Sequence, residues 1–327
     1  MFYCSSEEAG YEENNIHYTV HNLFWKRLSI MLTIFSIPKP FNGHIGVIQK
    51  NALTSWLMLS GCEVILFGDD EGVEETAAKL GTRYVHEVRK NEYGTPLLDF
   101  VFEHAEELAE NDTLCYVNAD IILPSNFLSV LKQIRFKKFL IAGQRWDINI
   151  DQPWDFERTD WEEKLRSRIA RKGSLHPPLG SDYFIFSKGT LGKLPPFAVG
   201  RPGWDNWVIS RAKAFRIPVI DATQVMTVVH QNHNYYHVPK GTGKDYLGPE
   251  ADGNLVLMGS KKFLFNLEDV DWVLIPQGLH RPKWTRKRLK RFIFSLPVLY
   301  PRLCLPLSAG LSFCSSVKKI LKIRSRA

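Results

Sequence analysis

Leu114-Cys115-Tyr116-Val117-Asn118-Ala119-Asp120-Ile121-Ile122-Leu123 is an apolar run interrupted once. Leu114 to Val117 has the length of a buried strand, and it stops at three small or polar residues before apolar residues resume. In open α/β sheets, ligands bind at the C-terminal ends of strands. A carboxylate among so many apolar neighbours is costly to bury unless something pairs with it. A divalent cation carrying a diphosphate is one such partner for Asp120. Capping of a helix that begins near Pro124 is the other reading.

The segments around this stretch alternate. Leu32–Ile37, Glu63–Gly68, Arg83–Val88 and Phe139–Ala142 read as strands. Between them, helical spacing governs Ile45 to Leu59, Val73 to Leu80, Leu97 to Glu110 and Pro124 to Ile134. Strands alternating with helices predict an α/β fold with a mostly parallel, doubly wound sheet covered on both faces. No Gly-x-Gly-x-x-Gly follows the first strand and no Gly-Lys-Ser/Thr phosphate loop occurs, so dinucleotide dehydrogenases and P-loop enzymes are disfavoured. The proline-rich turn Ile37 to Gly43 suits cradling a base more than wrapping a phosphate.

After Gln144 the alternation fails. Residues 145–161 crowd aromatic residues among acids. A helix over Trp161–Lys172 and a strand over Tyr183–Phe186 follow, the latter introduced by Gly180-Ser181-Asp182. Next comes Gly203-Trp204-Asp205, running into a helix through Ala214. A short strand, Pro218–Asp221, leads on to His230 and His233. This half reads as an acceptor-binding elaboration on the sheet, not as an independent domain.

The chain of 327 residues is 44% hydrophobic and 12% aromatic, the composition of a globular protein with a substantial core. Five scattered cysteines without a Cys-x-x-Cys pair argue against a zinc site or disulfide framework and fit a reducing compartment. The net charge of +7 divides unevenly. Thirteen Lys or Arg and no acid lie from Trp272 onward, leaving 29 basic against 35 acidic residues, a net of −6, before it. The expected organisation is an N-terminal extension over 1–30, a catalytic domain over 31–272 and a basic, apolar tail over 273–327. Phe292 to Phe313 is long enough to span a bilayer, but Pro297, Pro301, Arg302 and Pro306 disfavour a straight spanning helix. A peripheral position on an anionic membrane surface, from the cytoplasmic side, fits better, and nucleic acid fits the acidic body poorly.

In their order and spacing, these features resemble a GT-A type glycosyltransferase of Rossmann-like topology, over roughly Leu32 to His237. The resemblance implies transfer of a sugar from a nucleoside-diphosphate-sugar donor to a hydroxyl of a glycan or lipid-linked acceptor, aided by Mn²⁺ or Mg²⁺. It implies that Asn118-Ala119-Asp120 stands at the family's Asp-x-Asp motif, with Asn118 a departure that removes one charge. Asp120 and His230, or His233 in its place, would then hold the metal. Asp69 and Asn118 would contact the nucleoside, with Arg145, Gly180 and Asp182 as further donor-site residues. Asp205 would be the base of an inverting reaction, flanked by Trp204 and Trp207 as sugar-facing aromatics.

Each position has a plainer reading: a helix cap for Asp205, a solvated turn for Asp69, a core imidazole for His230, an ion pair for Arg145. A sugar nucleotidyltransferase and a non-catalytic scaffold at a membrane are the alternative functions.

Overall fold

The computed structural model describes residues 32–233, 248–259 and 265–300. The first half alternates as expected: β1 (Leu32–Ser36), α1 (Gly43–Leu57), β2 (Cys62–Phe67), α2 (Val73–Leu80), β3 (Arg83–Val85), α3 (Leu98–Leu108) and β4 (Thr113–Val117). Then follow β5 (Ile121–Ile122), α4 (Asn126–Ser129), β6 (Leu140–Ala142), β7 (Trp146–Ile148), α5 (Trp161–Lys172), β8 (Ser174–Leu175) and β9 (Tyr183–Ser187). The remainder comprises α6 (Trp204–Ala214), β10 (Val219–Asp221), β11 (Val229–Gln231), α7 (Pro249–Met258), β12 (Trp272–Ile275), β13 (Gly278–His280) and α8 (Arg286–Leu299).

Nine strands form one sheet in the order β13-β12-β10-β6-β9-β4-β1-β2-β3. Its pairings are parallel except around β9, which runs against β4 and β6, and at the edge hairpin of β12 and β13. Burial on both faces explains why every residue of β1 is buried and why the strand sequences show no alternation. The same double burial hides the direction of β9, which is as apolar as its parallel neighbours. The two polar residues of β1 are satisfied internally: Thr33 donates to Glu63 (2.7 Å) and Ser36 to the Val117 carbonyl (2.6 Å).

A second sheet, β5-β11-β7-β8, stands at the C-terminal end of the first. It packs through Ile122, Ile148 and Val229 against Trp161, Leu165 and Ile169 of α5. Helix α1 joins the two sheets. Its apolar side buries Ile48, Ala52 and Trp56, as the spacing requires. Its polar residues Gln49, Asn51 and Ser55 are buried too, and each holds a loop. Gln49 brackets the backbone N–H and carbonyl of Lys39 (2.6 and 2.8 Å). Asn51 accepts from Trp154 N–H (2.8 Å) and donates to Gln231 (2.9 Å), and Ser55 accepts from Leu123 N–H (3.0 Å).

Two expectations need correction. The helix expected over 124–134 is the short α4 followed by a 3₁₀ turn, Leu131–Gln133. The Asn126 amide is engaged with the Val225 carbonyl and Thr227. The sheet also passes the boundary expected at 272, since Trp272 and Val273 pair in parallel with Ile220 and Asp221 and the sheet continues to His280. The charge change there marks a change of surface, not of core. Among the described residues no helix is long and apolar enough to cross a membrane. The extension expected over 1–30 and the end of the expected tail, 301–327, lie outside the described residues, and the rest of that tail forms most of β12 together with β13 and α8.

Candidate active site

Strand β4 ends where its apolar run ends, and Asn118 is fixed at once from β9: its N–H donates to the Asp182 carbonyl (3.0 Å) and its amide to Asp182 Oδ1 (2.8 Å). Two residues on, the Asp120 backbone carbonyl accepts from the N–H (3.2 Å) and the side-chain amide (3.1 Å) of Gln231 on β11. That pairing aims the Asp120 carboxylate at the histidines. Asp120 Oδ2 lies 3.0 Å from His233 Nε2 and 3.6 Å from His230 Nε2. The ligating atoms of Asp120, His230 and His233 all fall within 4.8 Å of one another. Asp120 is therefore no helix cap.

Two properties make this cluster fit for a divalent cation. Among the described residues Asp120 Oδ1 is buried without a hydrogen-bond partner, an arrangement that costs free energy unless something else pairs with it. The donor set of one carboxylate and two imidazoles suits Mn²⁺ and similar first-row ions. Burial opposes ionisation of Asp120, but the imidazoles of His230 and His233 overcome it and hold the carboxyl well below the ordinary range.

Behind the cluster stands Asp147 on β7, which sequence reading passed over as one acid among several. Its Oδ1 lies 3.1 Å from His230 Nδ1 and accepts from Arg145 Nε (2.8 Å); its Oδ2 lies 2.9 Å from His176 Nδ1. Arg145 reaches on to Asp182. Asn118, Asp182, Arg145, Asp147, His230, Asp120 and His233 thus form one continuous chain of side-chain contacts. Arg145 takes the plainer of its two readings, an ion pair, although it also lines the cleft. A signal for Asp147 existed: residues two apart on a strand share a face, and Arg145 and Asp147 are so spaced.

The cleft over this network has a volume of about 510 Å³. One wall is apolar, from Ile37, Pro38, Pro40, Ile45 and Ile48, and the proline-rich turn supplies much of it. Opposite lie Asn118, Asp120, Arg145, Asp182 and His230. Two cations missed in the sequence also face it, Lys39 and Arg201. Burial lowers the Lys39 ammonium pKa, against the pull of Asp120. Arg201 is anchored by Glu250 (2.6 Å). Lys39 was legible only as a lone cation after the first strand, and Arg201 only by its place just before Gly203-Trp204-Asp205.

The remaining expected residues lie apart from the cleft wall. Asp69 is exposed at the end of β2 and paired with Lys90, and its neighbour Asp70 lines the cleft in its place. Asp205 is the second residue of α6, whose cap position is Gly203 at φ 103°, so it does not cap the helix. Its carboxylate lies near the backbone of Ser181 and Asn206, which favours its ionised form. A Cβ at Gly180 would lie 3.5 Å from its Oδ2, an ordinary contact, which places the loop beside the carboxylate. Burial, with the Asp182 charge adding to it, raises the Asp205 carboxyl to about 6. Trp204 and Trp207 are not sugar-facing platforms. Trp204 is buried edge-on against Tyr116 (5.1 Å between centroids) and Phe184, and Trp207 packs on Phe197.

No protein-family model matches the chain, and no curated protein is significantly similar in sequence. Solved structures are similar in backbone. The mannosyltransferase PcManGT from Pyrobaculum calidifontis, in complex with GDP-Man and Mn²⁺, is 13% identical with a TM-score of 0.41, over 68% of either chain. Glucosyl-3-phosphoglycerate synthase from Mycobacterium tuberculosis, in complex with Mn²⁺, UDP and phosphoglyceric acid, is 14% identical with a TM-score of 0.43, over 81% of this chain and 90% of that one. TarS of S. aureus is 14% identical with a TM-score of 0.39, over 62% of this chain, which spans only 37% of TarS. In backbone the chain is similar to these transferases of GT-A type.

Proposed function

We propose that the chain is a GT-A type glycosyltransferase that moves a sugar from a nucleoside-diphosphate-sugar donor to a hydroxyl acceptor. The observation that carries this reading is the Asp120–His230–His233 cluster, with an orphaned buried carboxylate oxygen, at the end of a central strand in a cleft that also holds Lys39 and Arg201. Asp120, His230 and His233 would hold Mn²⁺ or Mg²⁺. Held by these residues, such an ion would supply charge neutralisation for a departing nucleoside diphosphate.

The protein's own groups do the rest. The apolar wall from Ile37 to Ile48 accepts the base, and Lys39 and Arg201 supply cations for the phosphates. Asn118, held by Asp182, takes the place of a motif acid as a neutral group near the ribose, and Asp70 supersedes Asp69 as the acid facing the nucleoside. Arg145, Gly180 and Asp182 serve by fixing the geometry from behind. Asp205, raised to about 6, is ionised at neutral pH yet basic enough to take a proton. Although it stands off the cleft wall, it would meet an acceptor hydroxyl bound beside Asp182, whose charge acts on it. That role makes the reaction inverting.

Calorimetric titration of UDP, GDP, CDP and ADP, with and without Mn²⁺, tests the reading on wild type and Asp120→Ala. Metal-dependent binding of one nucleotide, lost in the variant, is expected. Absence of binding under every condition would favour the scaffold reading, for which Asn118 in place of an acid is the supporting feature.

A further inference from the structure

A second cavity, of about 600 Å³, lies at the opposite end of the nine-stranded sheet, below Pro218 and Asp271–Trp272, where β10 and β12 begin. Its acids are all engaged: Glu268 with Lys287, Asp269 with Arg291, and Asp271 with Lys213. Three guanidinium groups in its wall, Arg216, Arg281 and Arg288, form no ion pair among the described residues. Arg281 lies over the Trp272 ring at 3.8 Å and gives an N–H to the Asp271 carbonyl. Arg288 gives N–H groups to the carbonyls of Glu268 and Val270, and faces Trp284 at 5.5 Å. Arg216 has φ 58°, the left-handed region, and is the only non-glycine residue there among those described. That conformation closes the C-terminal end of α6, where the Arg216 N–H donates to the Lys213 carbonyl and the Ile217 N–H to the Ala212 carbonyl, and it places Arg216 at the cavity.

Alongside the cavity, α8 buries Ser295 and leaves Leu289, Phe292, Ile293 and Phe294 exposed, with Trp284 exposed just before the helix. Lys283, Arg286, Lys287 and Lys290 surround them, and from Arg281 to Tyr300 there is no acid. Exposed aromatic and aliphatic residues within a rim of one charge mark an interaction surface. Lysine and arginine stems lie along apolar surface while their heads seek anions. A protein partner would need a matching acidic, apolar face. An anionic bilayer offers both chemistries at every point.

We propose that this cavity and the exposed face of α8 together dock on an anionic phospholipid surface, Arg216, Arg281 and Arg288 meeting lipid phosphates while Trp284, Ile293 and Phe294 enter the headgroup boundary. The inference is independent of the nucleotide site, which lies at the other end of the sheet.

Sedimentation of the full chain with vesicles of phosphatidylcholine alone, or with phosphatidylserine added, tests it. Partition is expected only with the anionic lipid, and to weaken as salt rises. Arg216→Gln with Arg281→Gln should weaken partition about 30-fold. Ile293→Ser with Phe294→Ser, both at solvent-exposed positions, should weaken it roughly tenfold without altering the melting profile. The second pair keeps the test intact if the first does not fold. Equal binding to neutral vesicles would overturn the proposal, as would variants that partition like wild type. So would binding of inorganic phosphate or a single-stranded oligonucleotide without any partition onto anionic vesicles. A self-association abolished by the serine pair, with no vesicle binding, would assign the face to a second copy instead.

Discussion

Asp147 stands behind His230, its Oδ1 3.1 Å from His230 Nδ1, and so turns the opposite nitrogen, Nε2, toward Asp120. A ring held from behind presents one nitrogen in one direction, which is how outer carboxylates orient metal-binding histidines. Asp147→Asn is expected to weaken Mn²⁺ binding by about 10- to 100-fold. Calorimetric titration of Mn²⁺ into the nucleotide-free protein measures this directly. The fold should persist, since the amide retains one acceptor for Arg145.

Lys39 supplies charge to the cleft without contributing to the metal cluster. Replacement by Met should weaken nucleoside diphosphate binding by roughly 10- to 100-fold, the worth of a charged hydrogen bond. Binding of the corresponding nucleoside should hardly change. An equal loss for both ligands would mean that Lys39 shapes the wall and does not meet phosphate.

In the base role proposed above, Asp205 would tie activity and stability to pH in opposite directions. Its folded pKa of about 6 exceeds the unfolded value of roughly 3.9. The folded state therefore binds this proton more tightly, so the group's stabilising contribution is present below about pH 4 and is lost as pH rises through about 6. Transfer requires the ionised form and should rise over the same interval. Asp205→Asn is expected to abolish transfer and to stabilise the protein at pH 8 by on the order of 2 kcal/mol, with little change at pH 4. Melting curves and initial rates across pH 4–8 report the two effects.

Asn51 binds two segments to α1 from a buried position, the Gln152–Trp154 loop and Gln231. Asn51→Leu leaves the Trp154 N–H and the Gln231 side chain without this partner. A loss of about 2–4 kcal/mol is expected in denaturant unfolding, together with weaker nucleotide binding, because Gln231 also holds the Asp120 carbonyl.

The parts of this design that are written locally were legible. The strand ending at Val117 and the helices Val73–Leu80 and Trp161–Lys172 follow from runs, periods and breaks in a single segment, whereas the pairing of Asp120 with His230 was implied only by the resemblance to GT-A type transferases. What escaped notice depends on segments far apart. The antiparallel course of β9 leaves no trace in a strand buried on both faces. Asp147 gains its meaning only where β7 meets β11, more than eighty residues on. Lys39 matters because Gln49 fixes its backbone toward the cleft. Trp204 and Asp205 are adjacent in sequence and were read together, yet one helical step separates them by about 100°. One entered the core and the other the 180–181 loop.

The segment from Gly143 to Asp182 leaves the large sheet from β6 and returns through β9 at the same end, carrying β7, α5 and β8 with it. Both anchors are sterically fixed: a Cβ at Gly143 would collide with the Tyr183 hydroxyl, and Asp182 is clasped by Asn118 and Arg145. Between them the chain is a cassette with a common entry and exit. Residues 155–159, beyond the Asn51-held Trp154 and mostly exposed, can therefore change in length or composition without shifting the register of any strand in the large sheet. An engineer has there a short stretch to exchange whole, with both sheets left standing.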